Sequence, residues 1–68
     1  MRNGFAKNIK ALRIEDGYTQ AELGKLVNVS QRKVSYWESQ NIEPDIDTLL
    51  LLANFFEITV DELVRPEN

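Results

Sequence analysis

A chain of 68 residues with a formal net charge of −3 is one small domain, close to the lower limit for folding around a single core. It has no cysteine and no histidine, which excludes disulfides, thiolate metal sites and the commonest general base and metal ligand. Its longest apolar run, Leu49-Leu50-Leu51-Leu52-Ala53, is far too short to span a bilayer, and no signal-peptide core follows Met1-Arg2, so a soluble cytoplasmic protein is expected.

The chain then reads as a series of helix starts. From about Asn3 to Asp16, Phe5, Ile9 and Leu12 share one stripe, and Gly17 is a good residue to stop that helix. Thr19 can cap the next helix while Glu22 reaches back, a capping box with Tyr18 and Leu23 as its hydrophobic staple. Ser30 can cap a third helix, with Val29 and Val34 as staple. Asp45, after Pro44, can cap a fourth, where the helix dipole also favours its carboxylate. Thr59 with Glu62 repeats the capping box, with Ile58 and Leu63 as staple. The spacing predicts helices over 4–16, 19–27, 30–38, 46–56 and 60–64, with no run of period two long enough for a strand.

Only Asn28 and Val29 separate the second helix from the cap of the third. Asn28 tolerates the left-handed backbone that so tight a turn needs. Helices joined this closely cross steeply, the geometry of a helix-turn-helix, although a corner of an ordinary helical bundle uses the same grammar. On the helix from Ser30, Val34 and Trp37 lie on one side, with Arg32, Ser35, Tyr36 and Ser39 opposite and Gln31 on a flank. The outer groups suit base edges: Gln pairs with adenine and Arg with guanine, each worth about 1–3 kcal/mol of discrimination. Helix N-termini at Thr19 and Ser30 also aim backbone N–H groups where phosphate oxygens bind well. The plainer reading of the same residues is a solvated polar face.

Charge bears on that choice. Residues 1–33 hold seven basic side chains against three acidic, whereas residues 34–68 hold one basic against eight acidic. The basic groups accumulate up to Lys33, so a basic face is compatible with an acidic chain.

Taken together, Thr19-Gln20-Ala21-Glu22-Leu23-Gly24, Val29-Ser30-Gln31, Val34-Ser35-Tyr36-Trp37-Glu38, Pro44, Leu49, Ala53 and Phe56 resemble the Cro/repressor-type helix-turn-helix, or XRE, family. The resemblance implies an all-α, compact five-helix lambda-repressor-like DNA-binding domain over residues 1–68, with the helix-turn-helix at helices 2 and 3 and the core resemblance over 5–64. It implies base contacts from Ser30, Gln31, Arg32 and Tyr36. Backbone contacts are implied for Thr19, Gln20, Lys33 and Ser35, with Gln20 also bracing the recognition helix. Arg13 and Glu38 match a family pair that forms a largely buried salt bridge. The chain also departs from the pattern. Gly24 stands for the usual alanine at the helix crossing, at about 1 kcal/mol of helix propensity. Asn28 stands for the commoner glycine of the turn. The loop Gln40-Asn41-Ile42-Glu43 lacks the basic residues that relatives often set against phosphate.

One module of this size presents a small interface, so the expected partners are double-stranded DNA and a second copy of the chain. Leu49, Leu52 and Phe56 are expected in the core. Leu51, Phe55, Val60 and Val64 are candidates for a homodimer face, or alternatively finish the small core. The acidic C-terminal half would then face away from DNA. The expected function is a sequence-specific DNA-binding transcriptional regulator, a cytoplasmic, bacterial or phage-encoded and nucleoid-associated repressor. The alternative is a helix-turn-helix protein-interaction module, antitoxin-like or an adaptor, with weak or no DNA binding. An enzyme is not expected: Asp45, Asp47, Asp61 and Glu62 are explained as caps and first-turn acids. No cofactor, metal, membrane or small-molecule ligand is implied.

Overall fold

The computed structural model describes residues 4–40 and 42–66; Met1, Arg2, Asn3, Asn41, Glu67 and Asn68 lie outside the described residues. The regular structure of the described residues is five helices: α1 (Phe5–Glu15), α2 (Gln20–Leu26), α3 (Gln31–Gln40), α4 (Ile46–Phe56) and α5 (Val60–Val64). Each start after α1 is made by the side chain that the sequence nominates. Thr19 Oγ1 accepts from the Glu22 N–H at 3.0 Å while Glu22 Oε1 accepts from the Thr19 N–H at 2.8 Å. Thr59 and Glu62 exchange the same pair of bonds at 3.0 and 2.9 Å. Ser30 Oγ accepts from the Lys33 N–H at 3.1 Å, and Asp45 Oδ1 from the Thr48 N–H at 3.1 Å. Caps of this kind contribute about 1 kcal/mol each, a large share of what a domain this small can hold in reserve.

Helix ends need a different device, a reversal of φ. Gly17 (φ 81°) follows α1, Asn28 (φ 62°) lies between α2 and α3, and Glu57 (φ 59°) closes α4. The first two carry a residue suited to that conformation; Glu57 does not, and its pattern gives no warning. Helix α3 runs to Gln40, two residues past the expected end, with the Ser39 hydroxyl donating to the Ser35 carbonyl at 2.9 Å.

The five apolar stripes meet in one core. Phe5 and Ile9 of α1, Leu23 of α2, Val34 and Trp37 of α3, Leu49, Leu52 and Ala53 of α4, and Leu63 of α5 are buried, with Val27 from the turn. Phe5 meets Trp37 edge to face at 5.9 Å between ring centroids. Leu12 and Phe56, both expected inside, lie at its rim. Phe55, Val60 and Val64 are also partly buried against this core, and Phe55 touches the rings of Tyr18 and Phe56. Much of their apolar area is therefore already used within the chain. Of the four candidate dimer residues only Leu51 is exposed, beside Ile46 and Leu50 on the outer side of α4.

Polar groups then fasten the ends and the centre. Asn8 Nδ2 donates to the carbonyls of Leu63 and Arg65, both at 2.9 Å, and the Gly4 N–H donates to Val64 O at 2.8 Å, so α1 satisfies the carbonyls at the end of α5. Arg13 and Glu38 join α1 to α3 through two parallel bonds, Nε to Oε2 at 2.7 Å and Nη2 to Oε1 at 3.0 Å. Arg13 Nη1 donates to the Tyr18 carbonyl at 2.8 Å. Their side chains are only 12% and 5% exposed, and the hydrogen bond to Glu38 raises the Arg13 pKa against the cost of burial.

Gly24 has a steric reason. A Cβ there would lie 2.6 Å from the Val29 carbonyl oxygen and 3.3 Å from Ser30 backbone atoms. The chain after the turn passes directly over α2 at this point, held by the Val29 N–H donating to Gly24 O at 2.8 Å.

Three outcomes are expected. Gly24→Ala should lower stability to urea by about 1–3 kcal/mol, because displacing backbone outweighs the roughly 1 kcal/mol gained in helix propensity; a stabilised variant would contradict the packing. Arg13→Ala should cost about 3–5 kcal/mol in the same assay by leaving Glu38 buried and unpaired, or leave the chain unfolded. Acid should also weaken the fold. Hydrogen bonds from Thr48 hold the Asp45 carboxyl below its ordinary value, and those from Thr59, led by its N–H, do so for Glu62. Depressed carboxyl pKa values stabilise the fold above the unfolded range near pH 4, and that contribution disappears as pH falls through the folded values. Glu62→Gln and Asp45→Asn should each flatten the decline of stability below about pH 4, followed by circular dichroism.

Candidate nucleic-acid interface

The short connection from Val27 to Ser30 brings α3 against α2, and α2, α1 and the core hold it there. Val34 and Trp37 are buried, which fixes the rotation of α3 about its own axis. Gln31, Arg32, Lys33 and Tyr36 are thereby left exposed, with Ser39 and Gln40 also exposed near the C-terminal end. Ser30 is exposed at the cap, whereas Ser35 is half-buried. Tyr36 is 52% exposed although its ring is apolar over most of its surface. Thr19 is exposed at the start of α2, and Gln20 next to it is partly buried. The eight sequence-selected residues thus come from the N-terminal ends of two crossing helices and from the outer side of the second.

A chain of hydrogen bonds links the two helix starts to the buried ion pair. Gln20 Nε2 donates to Glu38 Oε1 at 3.1 Å, and Gln31 Nε2 donates to Gln20 Oε1 at 2.9 Å. Glutamine is the first residue of both α2 and α3. That shared position was the available sequence signal, but eleven residues separate the two, and only the crossing brings their carboxamides together. Asn8 was also unforeseen, because its role depends on where α5 ends.

A groove of about 550 Å³ flanks α3, with Lys33, Tyr36 and Trp37 on one side and Ile42, Glu43, Pro44, Asp45 and Thr48 on the other. After the Thr48 hydrogen bonds and against a small cost of burial, the Lys33 charge also helps to hold the Asp45 carboxyl low. The division of charge is therefore less clean than the sequence halves imply. Glu43 and Asp45 stand beside the outer side of α3 rather than turned away from it, because the loop before α4 must fold back across α3 for Leu49 and Leu52 to reach the core. Among the described residues no cluster of acids could hold a metal ion, and no helix is long and apolar enough to cross a membrane.

Known proteins share this arrangement. A family model described as helix-turn-helix matches residues 9–63. The HTH-type transcriptional regulator ImmR of Bacillus subtilis strain 168 is 36% identical over 63 residues, covering 93% of this chain and 50% of that protein. Repressor protein C2 of Salmonella phage P22 is also 36% identical over 63 residues, covering 93% of this chain and 29% of the relative. The crystal structure of the P22 c2 repressor in complex with a synthetic operator superposes with a TM-score of 0.83 at 33% identity, over 93% of this chain and 96% of that one. A transcriptional regulator from Listeria innocua gives a TM-score of 0.87 at 38% identity, over 94% of this chain and 60% of that one. The chain spans about half the length of ImmR and less than a third of C2. The matched residues include the capped start of α2, the Asn28 turn and the whole of α3, and the chain belongs to the helix-turn-helix family of the XRE, Cro/repressor type.

Proposed function

We propose that this chain is a sequence-specific DNA-binding transcriptional regulator that sets α3 in the major groove and represses by occupying a palindromic operator as a homodimer. The observation that carries the reading is the outer side of α3. Gln31, Arg32, Lys33 and Tyr36 are exposed together on a helix whose opposite side is locked by Val34 and Trp37. In the related P22 repressor a structure of the same fold holds operator DNA, which supports the same use here. Ser30, Gln31, Arg32 and Tyr36 meet base edges in this reading, while Thr19, Gln20, Lys33 and Ser35 serve the phosphate backbone. A second copy doubles the contacts on two half-sites about one helical turn apart. Leu51, together with the uncovered parts of Phe55, Val60 and Val64, belongs to the pairing face.

A second reading has one observation of its own. Glu43 and Asp45 flank α3 and repel phosphate, and Ile42 beside them is exposed, features that suit a protein partner better than a duplex. Anisotropy titrations at two salt concentrations separate the readings, using random duplexes and palindromes selected from a random pool. A regulator should bind selected palindromes at least about a thousandfold more tightly than random DNA. Equal affinity for both at low salt favours the protein-interaction module. Arg32→Ala should relax preference at one base position, with about 1–3 kcal/mol lost there, whereas Lys33→Ala should weaken every duplex alike and reduce the salt slope by about 0.9. Sedimentation of the protein on operator DNA tests the pairing; a monomer at saturating concentration would refute it.

A further inference from the structure

We infer that Glu38 is a specificity-determining positioning residue, which sets the donor and acceptor pattern that Gln31 offers to a base by acting through Gln20. The inference rests on the reading of α3 as the base-contacting helix and adds a cause for what Gln31 selects. The reasoning begins with valence. An ionised carboxylate only accepts hydrogen bonds, whereas a carboxamide has one donating and one accepting end. Both oxygens of the Glu38 carboxylate accept from Arg13, Oε2 from Nε and Oε1 from Nη2, so the group faces Gln20 as an acceptor. Gln20, lying against Glu38 Oε1, must therefore turn its Nε2 towards the carboxylate and its Oε1 away. That outward Oε1 accepts only, so Gln31 must in turn give it an N–H, which it does at 2.9 Å. The orientation of both amides thus follows from the charge at Glu38 and needs no choice at either glutamine.

The consequence appears at the exposed end of the relay. With one N–H committed to Gln20, Gln31 has a single N–H and its Oε1 left for a base. Adenine presents an acceptor at N7 beside a donor at N6, which matches that remaining pair. Guanine presents two acceptors, N7 and O6, and a directed Gln31 would set its own oxygen against one of them. Released from Gln20, the amide could turn and offer both of its N–H groups to guanine. The ion pair therefore does more than join α1 to α3. It rejects guanine at the base pair that Gln31 meets.

The test compares duplexes selected from a random pool with their single-base variants. Gln31→Ala first locates the base pair at which preference is lost. At that position Gln20→Leu, which leaves both Arg13–Glu38 bonds in place, should lower the affinity ratio of adenine to guanine about tenfold, within what one bidentate contact supplies. Glu38→Gln should do the same wherever it remains folded, because an amide there no longer dictates which end Gln20 turns. The ratio is insensitive to a uniform loss of phosphate contacts or stability. In the free protein, the side-chain amide proton signals of Gln31 should lose their hydrogen-bonded shift in both variants. An unchanged ratio in Gln20→Leu, while Gln31→Ala abolishes the preference, would overturn the relay and leave the DNA-binding reading intact. Unaltered Gln31 amide shifts would overturn it without any DNA. If wild-type protein discriminates no duplex, the reading of α3 fails, and only the amide shifts then decide the relay.

Discussion

The carboxylate of Glu38 is the one charge on which the geometry of this small domain depends. Almost wholly buried, it requires compensation, and Arg13 provides it from the opposite helix in a two-pronged geometry. Because the ion pair is buried, its distance and orientation are fixed, and α1 and α3 can meet in one register only. Gln20 shares an oxygen of the same carboxylate, which adds α2 to the arrangement. Three helices are thus referenced to one acidic group, and the exposed side of α3 inherits that precision.

A chain of this size has little apolar area with which to hold five helices, and the rest of the structure reflects this. Local hydrogen bonds define four of the five helix starts. Asn8 spends its amide on carbonyls at the end of α5, so that the first helix is fastened to the last. Gly24 gives up helix propensity so that the backbone of the turn can pass within hydrogen-bonding distance of α2. Of these features, Gly24 and the caps at Thr19 and Ser30 serve the close approach of α2 and α3, while Asn8 ties α1 to α5.

The acidic balance of the chain is reconciled with a nucleic-acid role only in part. Lys33 and Arg32 lie on the exposed side of α3, and Arg13, counted among the basic residues of the N-terminal half, is consumed by Glu38. Glu43 and Asp45 meanwhile border the same surface. Under the proposed DNA-binding reading, acids beside α3 weaken general attraction for phosphate and place more weight on contacts that differ from one base to the next. Orientation of the few polar groups on α3 then matters more than their number, which gives the relay through Gln20 its importance.

Much of this was legible in the residues alone. Thr19, Ser30, Asp45 and Thr59 act on the backbone three positions ahead, and Gly17 and Asn28 carry conformations that other residues avoid, so the elements and most of their limits follow from neighbours in sequence. The period of Phe5 and Ile9, Val34 and Trp37, and Leu49 and Leu52 likewise names the buried sides, because a helix repeats its direction every three to four residues. What the sequence could not decide were the relations between groups far apart along the chain. Phe55, Val60 and Val64 look available for a partner until the core is seen to take most of their surface. Glu43 looks remote from α3 until the loop folds back. Local chemistry therefore determined which helices form, which residues they bury and which residues α3 holds outward. Tertiary structure alone decided what Gln31 offers, since the direction of its amide descends from a carboxylate on the far end of its own helix through a side chain of another.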